Sequence, residues 1–407
     1  MDTLLDVIEI FIPGDWGNEE YTQDAPNEVI CIRGADIENV KSGIFQNIPR
    51  RYVSNSSINK KTLVKGDIII EKSGGSPTQS TGRVCYISDE FIKSKRNIVC
   101  SNFCAAFRLK SNWYYKYIYY YLQNIYNQGN FFNYEGKTSG IRNLLLETAF
   151  QAISLPNILT DVQKITVKIL DKIDQKINLN TRMNAELEAM AKQLYDYWFV
   201  QFDFPDENGK PYKSSGGKMV YNEKLKREIP EGWDVKRIGD YANIFTGKKD
   251  VSKVTPGDYL FFSCAPDPIT SNDYIYDGEV VLVSGNGSYT GRTTYYKGKC
   301  DLYQRTYACV LKEKYDNYYP WFYQYMKNYF EPHYSGGKHG SAIPYIILSD
   351  LTDSIIVSRN DIIKLYSEKV RSIFNQIYVN HYQIIPELTQ LRDSLLPMLM
   401  NGQVTVE

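Results

Sequence analysis

Histidine is scarce in this chain of 407 residues, since only His333, His339 and His381 occur. With so few imidazoles, no histidine-based catalytic triad or metal cluster suggests itself. The sequence also lacks the G-x-x-x-x-G-K-S/T phosphate loop. Gly285-Asn286-Gly287 is a poor nucleotide-binding loop, because it lies between strand-like segments and no helix follows it. These absences favour a chain without a catalytic centre of its own.

Cysteine pairs, net charge and long apolar runs are missing too. The seven cysteines are odd in number and form no C-x-x-C pair, so we expect buried thiols in a reducing cytosol, without disulfides or zinc. The formal net charge is zero, so any nucleic-acid role must rest on local basic patches or on a basic partner. No apolar run approaches the roughly 18–20 residues of a membrane span. Residues 1–13 have no basic segment typical of a signal peptide. We therefore expect a soluble, cytoplasmic protein that does not bind membranes.

What the sequence does contain is an internal duplication. Glu186-Leu187 recurs as Glu387-Leu388, 201 residues later, and Phe107-Arg108-Leu109-Lys110 is matched by Cys309-Val310-Leu311-Lys312, 202 residues later. Near the starts of the copies the offset is 234 residues, so the first copy must be longer by about thirty residues. The constant order and nearly constant offset predict two copies of one domain, not a solenoid.

Each copy has the same sequence of parts. A turn leads into a short strand, a glycine-rich loop follows, then an aromatic amphipathic helix and a second glycine/serine loop. The turn-strand segments are 65–70 and 277–283, the first loops 73–77 and 284–288, and the aromatic helices 113–126 and 318–330. Residues 202–230 are predicted to be a hydrophilic connector between the copies.

Each copy ends in a long helix, near residues 160–199 and 360–400. Thr160 to Gln163 fits a capping box. The apolar residues Ile165, Ile169, Ile173 and Ile177 begin a one-face stripe, which residues 370–395 repeat in the second helix. Two such helices are expected to pair as an antiparallel coiled coil with pseudo-twofold symmetry.

Three features interrupt or end these helices. Asn180 and His381 are polar and lie near the seam, where they either fix the register or face solvent. Pro386 should kink or split the second helix. Asn401-Gly402 supplies its C-terminal stop.

These segments predict an α+β protein with two tandem α/β domains, separated by two long antiparallel coiled-coil helices, and an internal pseudo-twofold duplication. The predicted parts are a first domain over 1–156, a first helix over 157–200, a connector and second domain over 201–357, and a second helix over 358–407.

Several stretches resemble the specificity subunit of type I restriction-modification enzymes, over nearly the whole chain and in the right order. They are 229–233 with 238–240, 153–156 with 163–165, 187–202, and 391–397 with Asn401-Gly402. One departure is visible: the first copy lacks a clear Pro-x-Gly-Trp opening. Only Pro13-Gly14-Asp15-Trp16 comes near, and it follows the strand-like segment instead of preceding it.

The resemblance implies a function in reading DNA. Each domain would be a target-recognition domain for one part of a split, asymmetric double-stranded DNA sequence. The helices would set the gap and dock two modification subunits, which bind S-adenosylmethionine and methylate adenine. Restriction subunits would add translocation and cleavage that require ATP and Mg. This chain itself would bind no cofactor or metal, which agrees with its lack of an Asn/Asp-Pro-Pro-aromatic motif.

A DNA reader needs phosphate contacts for position and base-edge contacts for sequence. Loops rich in glycine and serine that carry isolated basic or amide side chains can supply both. The predicted DNA-binding residues are therefore Lys72, Arg83, Lys137, Arg142, Asn286, Arg292, Lys338 and His339. Ser76, Gln79, Tyr289 and Arg305 are further candidates in the same loops. The loops 136–140 and 337–341 stand out because both place a lysine at the same point.

Two other functions remain open from the residues alone. One is a self-contained methyltransferase or nuclease, against which the missing motifs argue. The other is a coiled-coil scaffold whose β-rich ends bind protein or glycan, which the aromatic segments permit.

Overall fold

The structure is a computed structural model, and it describes residues 2–76, 79–93, 97–138, 141–334 and 344–404. The chain divides into two compact units. Unit 1 comprises Met1–Arg182 and Ile384–Glu407, and unit 2 comprises Met183–Gln383. No helix in the described ranges is both long and apolar enough to cross a membrane.

The described residues form strands in both domains. In chain order they are β1 Ile8–Pro13, β2 Asn27–Ile32, β3 Arg50–Val53, β4 Ile68–Glu71, β5 Ser73–Gly74, β6 Val84–Tyr86, β7 Asn97–Cys100, β8 Cys104–Leu109, β9 Glu135–Thr138, β10 Ile141–Leu144, β11 Met219–Asn222, β12 Arg227–Pro230, β13 Asp234–Arg237, β14 Ala242–Thr246, β15 Tyr259–Phe262, β16 Ile269–Ser271, β17 Tyr276–Ser284, β18 Thr293–Leu302, β19 Thr306–Leu311 and β20 Ile355–Ser358.

The helices include short connectors and the predicted long segments. They are α1 Ile37–Lys41, α2 Asn55–Lys61, α3 Asp89–Ile92, α4 Tyr115–Asn127, α5 Leu146–Ala152, α6 Thr160–Tyr195, α7 Ile238–Tyr241, α8 Tyr319–Tyr334, α9 Leu348–Thr352, α10 Asn360–Val379 and α11 Ile385–Met400. Two π-helical segments, Asp196–Val200 and Asn380–Ile384, follow α6 and α10.

The two units repeat one sheet topology, which confirms the predicted duplication. The strand order is β1-β8-β4-β6 in unit 1, and the six-stranded sheet of unit 2 repeats this order as β14-β19-β17-β18 before it continues into β15 and β16. Ile68 pairs with Phe107, and Val281 pairs with Cys309, the residue 202 positions after Phe107. A parallel pair recurs as well, between β2 and β7 in one unit and between β15 and the end of β18 in the other.

The central strands of the main sheet in each unit bury apolar residues on both faces. In unit 1, Ile68, Ile70 and Phe107 share a core with the aromatic helix α4, whereas Ile69 and Ala106 face a second core. In unit 2, α8 covers the equivalent face. The predicted short strands and aromatic helices are thus confirmed. The turn predicted at Asp277-Gly278 is wrong, because Gly278 pairs with Gly298 inside the long strand β17.

The first long helix is confirmed, but two details of it are wrong. No capping box forms, because the Gln163 N–H bonds to the Leu159 carbonyl and the Thr160 hydroxyl donates to the carbonyl of Asn112 (2.5 Å). Ile165 and Ile169 are exposed, since the buried face of α6 carries Gln163, Val167 and Leu170 instead. The pattern of apolar residues therefore identified the helix but not its covered face.

The second long helix is interrupted near Pro386, as predicted. The π-helical segment Asn380–Ile384 separates α10 from α11, and Pro386 lies in the first turn of α11. Gly402 has a φ of 68°, and the N–H of Gln403 bonds to the carbonyl of Met398, which confirms the predicted stop.

Within unit 2, α6 and α10 run antiparallel, because Asn184 contacts Asn380 while Ala191 contacts Tyr366 further along. The buried polar pair is Asn184–Asn380, at 2.8 Å between Nδ2 and Oδ1. Asn180 is buried and His381 is exposed, so the proposed matched pair of Asn180 and His381 does not share one environment.

The segment 202–230 is more than a hydrophilic connector. It contains the hairpin β11–β12, and Phe202, Phe204 and Ile229 are buried in the core of unit 2 with Trp233. The turns in this segment are polar, which is why its composition indicated a hydrophilic connector.

Candidate nucleic-acid interface

The predicted loops of unit 1 come together at one end of its sheet. Ser73 and Gly74 form β5, which pairs with Asn143 and Arg142 of β10, and β10 pairs in turn with β9. Lys72 joins β4 to β5, and its carbonyl accepts the Leu144 N–H at 2.8 Å. The described parts of the loop from 72 to 83 and the hairpin β9–β10 therefore form one surface, which we call the unit 1 loop cluster (residues 72–76, 79–83, 135–138 and 141–144).

Arg83 is held at the edge of this cluster by a carboxylate. Its Nε donates to Glu71 Oε2 at 2.9 Å and its Nη2 donates to Glu71 Oε1 at 2.6 Å. The Glu71 side chain is 4% exposed, and a Cβ on Gly34 or Gly74 would come within 2.8 Å of Oε1. Hydrogen bonding to Glu71 raises the pKa of Arg83. Arg83 is thus fixed in a bidentate ion pair.

A second carboxylate, Glu135, ties the loop to the hairpin. It accepts hydrogen bonds from the Thr81 N–H at 2.7 Å, the Thr81 hydroxyl at 3.0 Å and Arg142 Nη1 at 2.7 Å. The Arg142 guanidinium also lies 5.7 Å from the Phe132 ring centroid. Because one buried acid binds three donors, the loop and the hairpin are held in one arrangement.

Unit 2 has the counterpart of this loop at residues 285–292. The Ser284 N–H bonds to the Arg292 carbonyl at 2.9 Å, as the Glu71 N–H bonds to the Arg83 carbonyl at 2.9 Å. Asn286 forms a bridge with Tyr345 and is half-buried. Arg292 donates through Nη1 to the carbonyl of Ala265 at 2.6 Å and through Nη2 to the carbonyl of Pro266.

The sequence candidates thus fall into three groups. Lys72, Arg83 and Arg142 lie together in unit 1, whereas Asn286 and Arg292 lie in the corresponding loop of unit 2. Lys137 belongs to β9, opposite Arg142 in the ladder. Lys338 and His339 lie outside the described residues. The positions of these side chains do not test contact with DNA. The DNA-binding roles of all eight residues stay predictions.

Sequence reasoning missed the residues that organise the loops, above all Glu71 and Glu135. It also missed a repeated Thr-Gly-Arg, at 81–83 and 290–292. In both copies the threonine is buried and the glycine has a positive φ, 103° at Gly82 and 85° at Gly291. This repeat was visible in the sequence and marks the same turn in the two units.

The described residues contain no group of three or more His, Cys, Asp or Glu side chains that could hold a metal ion. All seven cysteines are unpaired and six are buried, which confirms the prediction of buried thiols. Burial raises the pKa of Cys31, Cys104 and Cys300 to about 12, so these thiols stay neutral.

The helices carry exposed apolar surface away from the loops. In unit 1, Val162, Ile165 and Ile169 lie along one exposed line of α6. In unit 2, a groove of about 820 Å³ is lined by both long helices, with Met190 57% exposed. Its other lining residues include Ala189, Leu194, Tyr197 and Ile373. Such exposed apolar patches are typical of interaction surfaces.

The fold defines the class of protein to which the chain is similar. The crystal structure of the S subunit of a type I restriction-modification system from M. genitalium superposes with a TM-score of 0.55 and 14% sequence identity, covering 98% of this chain and 95% of that one. This likeness shows a shared fold of two domains and long helices, and it confirms the predicted α+β class.

Sequence comparisons then identify the family. The model of the type I restriction modification DNA specificity domain matches residues 4–189 and again residues 230–357. The chain belongs to this family, as the resemblance indicated.

Two curated relatives are specificity subunits. The MjaIX specificity subunit of Methanocaldococcus jannaschii is 26% identical over 288 residues, which cover 64% of this chain and 62% of that protein. The EcoDI specificity subunit of Escherichia coli is 30% identical over 188 residues, which cover 44% of this chain and 40% of that protein. The aligned parts thus span less than two thirds of both relatives.

Proposed function

We propose that this chain is the sequence-specific DNA-binding subunit of a type I restriction-modification enzyme, in which it reads a bipartite, asymmetric target and performs no catalytic step. The observation that carries the proposal is the second match to the DNA specificity domain within one chain. Two copies of a reading domain, each with its own loop, suit a target made of two half-sites.

The loop clusters support a reading role. Each unit has a Thr-Gly-Arg turn and neighbouring polar groups at one end of its main sheet, whose central strands are buried. Because the formal net charge of the chain is zero, non-specific attraction to phosphate is weak. Affinity then depends on specific contacts and on the partner subunits.

The exposed helix surfaces support assembly. The groove between α6 and α10 and the exposed line Val162, Ile165 and Ile169 are the surfaces that we assign to two modification subunits. Those subunits would bind S-adenosylmethionine, and restriction subunits would use ATP and Mg. The complex would act on double-stranded DNA in the cytoplasm.

Adenine methylation mapping tests the proposal directly. The genome of the host is sequenced for N6-methyladenine with the chain present, after deletion of its gene, and after restoration of the gene. The expected result is one bipartite motif that is fully methylated, lost on deletion and regained on restoration.

Two results would contradict the proposal. Methylation that persists unchanged without the chain removes it from target selection. Methylation by the isolated chain, with S-adenosylmethionine as the only addition, makes it an enzyme instead. A chain that binds protein or glycan but no DNA in either form would favour the scaffold function.

A further inference from the structure

The repeated Thr-Gly-Arg turn places two arginines at one position of a duplicated fold. In the ladders, Glu71 pairs with Cys104 as Ser284 pairs with Thr306, and Ile70 pairs with Val84 as Val283 pairs with Thr293. Arg83 and Arg292 therefore occupy the same register. Their backbones are equivalent, so any difference between them comes from the side chains around them.

Arg83 keeps one face of its guanidinium available. A guanidinium carries five N–H donors in a fixed fork. Glu71 binds the side formed by Nε and Nη2. The second hydrogen of Nη2 and one hydrogen of Nη1 point away from Glu71 in parallel, and the described residues give Nη1 no hydrogen-bond acceptor. The Arg83 side chain is 21% exposed.

The corresponding side of the Arg292 guanidinium is occupied by protein acceptors. Its Nη1 and Nη2, the two nitrogens of the terminal fork, both donate to backbone carbonyls, those of Ala265 and Pro266. Ser284 has no carboxylate to bind the other side. The arginine of unit 2 therefore fastens the loop to residues 265–266, whereas the arginine of unit 1 presents a fork.

We propose that Arg83 reads a guanine in the major groove of the half-site bound by unit 1, and that Glu71 is the positioning residue that aims it. This inference rests on the proposed function and deepens it. Guanine offers O6 and N7 as paired acceptors at its major-groove edge, and two parallel N–H groups of arginine match them.

The ion pair argues for a base and against a phosphate as the ligand. A phosphate contact gains most of its energy from unneutralised positive charge and counterion release. Glu71 already neutralises Arg83, and its side chain is 4% exposed and leaves no room for a Cβ on Gly34 or Gly74. Arg83 therefore contributes directed N–H donors but little net charge. Directed donors are what base readout requires.

A selection experiment tests this. The full chain, purified from its host with the subunits that accompany it, binds a pool of random double-stranded DNA, and the bound fraction is sequenced. The variants are Arg83→Lys, Glu71→Gln and Arg108→Lys. Arg108 is the matched control, since it makes the same bidentate pair with buried Asp67 (2.8 and 2.9 Å) at the opposite end of β4.

Arg83→Lys keeps the charge but loses the fork. We expect guanine preference to fall by about 5- to 150-fold at one base pair of one half-site, with all other positions and the salt dependence of binding unchanged. Glu71→Gln should lower the preference at the same base pair. Arg108→Lys should keep the wild-type preferences and show only a lower melting temperature.

The outcomes separate the two proposals. If the wild-type protein selects no sequence, the proposed function fails. If the wild type selects a sequence and Arg83→Lys selects the same one, the role of Arg83 is refuted. A uniform loss of affinity in Arg83→Lys, without a change of preference, also refutes base readout. If circular dichroism shows that Glu71→Gln does not fold, the Arg83→Lys result decides.

Discussion

Two glycines at equivalent places in the duplicated fold should be intolerant of even one methyl group. Gly14 follows β1 and Gly247 follows β14. A Cβ built on Gly14 would lie 2.0 Å from the carbonyl oxygen of Ser101, and one on Gly247 would lie 1.9 Å from that of Leu302. Neither glycine has a positive φ, so crowding by backbone alone sets the cost.

The magnitude follows from that geometry. The opposing carbonyl oxygen would have to retreat by about 1 Å before contact becomes tolerable, and it belongs to backbone that the neighbouring strands hold. Overpacking of this kind typically costs about 1–3 kcal/mol, and more where only backbone can yield. We expect Gly14→Ala and Gly247→Ala each to lower the free energy of unfolding by about 3 kcal/mol or more.

Urea unfolding of the full chain, followed by circular dichroism and tyrosine and tryptophan fluorescence, measures this loss. Gly209→Ala is the control: Gly209 has a φ of 74° but no atom within 4 Å of the added Cβ. Backbone strain alone should cost it about 1 kcal/mol. If Gly14→Ala or Gly247→Ala loses no more stability than Gly209→Ala, the crowding argument is wrong.

Three further predictions concern buried polar groups in unit 2. Asn184→Ala leaves the fully buried amide of Asn380 without its acceptor, so urea unfolding should show a loss of about 1–3 kcal/mol; an unchanged midpoint would contradict this. Lys249→Met removes the cation 2.9 Å from the buried carboxylate of Asp301 and should cost about 3 kcal/mol in the same assay, part of which Asp301→Asn should restore. Burial raises the pKa of Glu331 above its ordinary value of 4.5, so the stability from its protonated form is present at acid pH and is lost as the pH rises through the folded pKa. Glu331→Gln should therefore gain thermal stability relative to wild type between pH 4.5 and 7, and a difference independent of pH would refute this.

The repeated strands and aromatic helices could be predicted because local patterns determine them. Ile68 to Ile70 is a short apolar run after a glycine turn, and the tyrosines of α4 recur at helical spacing. The shared order of parts in the two copies then placed Val281 in the same role. Such local sequence patterns predict secondary structure well because they agree with the tertiary fold around them.

The covered face of α6 could not be predicted, because an apolar stripe indicates that a helix surface favours burial but not which element packs against it. Ile165 and Ile169 belong to the stripe and are exposed, whereas Gln163 is buried and bonds to the Tyr114 N–H at 2.8 Å. The sequence also could not show which N–H donors of Arg83 and Arg292 are left without a protein acceptor. Glu71 lies 12 residues from Arg83, and only the folded sheet brings them together.

The two copies keep what the backbone needs and differ in what the loops present. Gly14 and Gly247 are both retained where a strand passes close to a carbonyl, and both copies keep Thr-Gly-Arg at the turn. The position at the end of the central strand is different, since it holds Glu71 in one unit and Ser284 in the other. That exchange alters which donors an arginine offers without moving the chain. Under the proposed function, two half-sites of different sequence therefore require no second fold, because side-chain exchange on a fixed backbone is enough to give each unit its own preference.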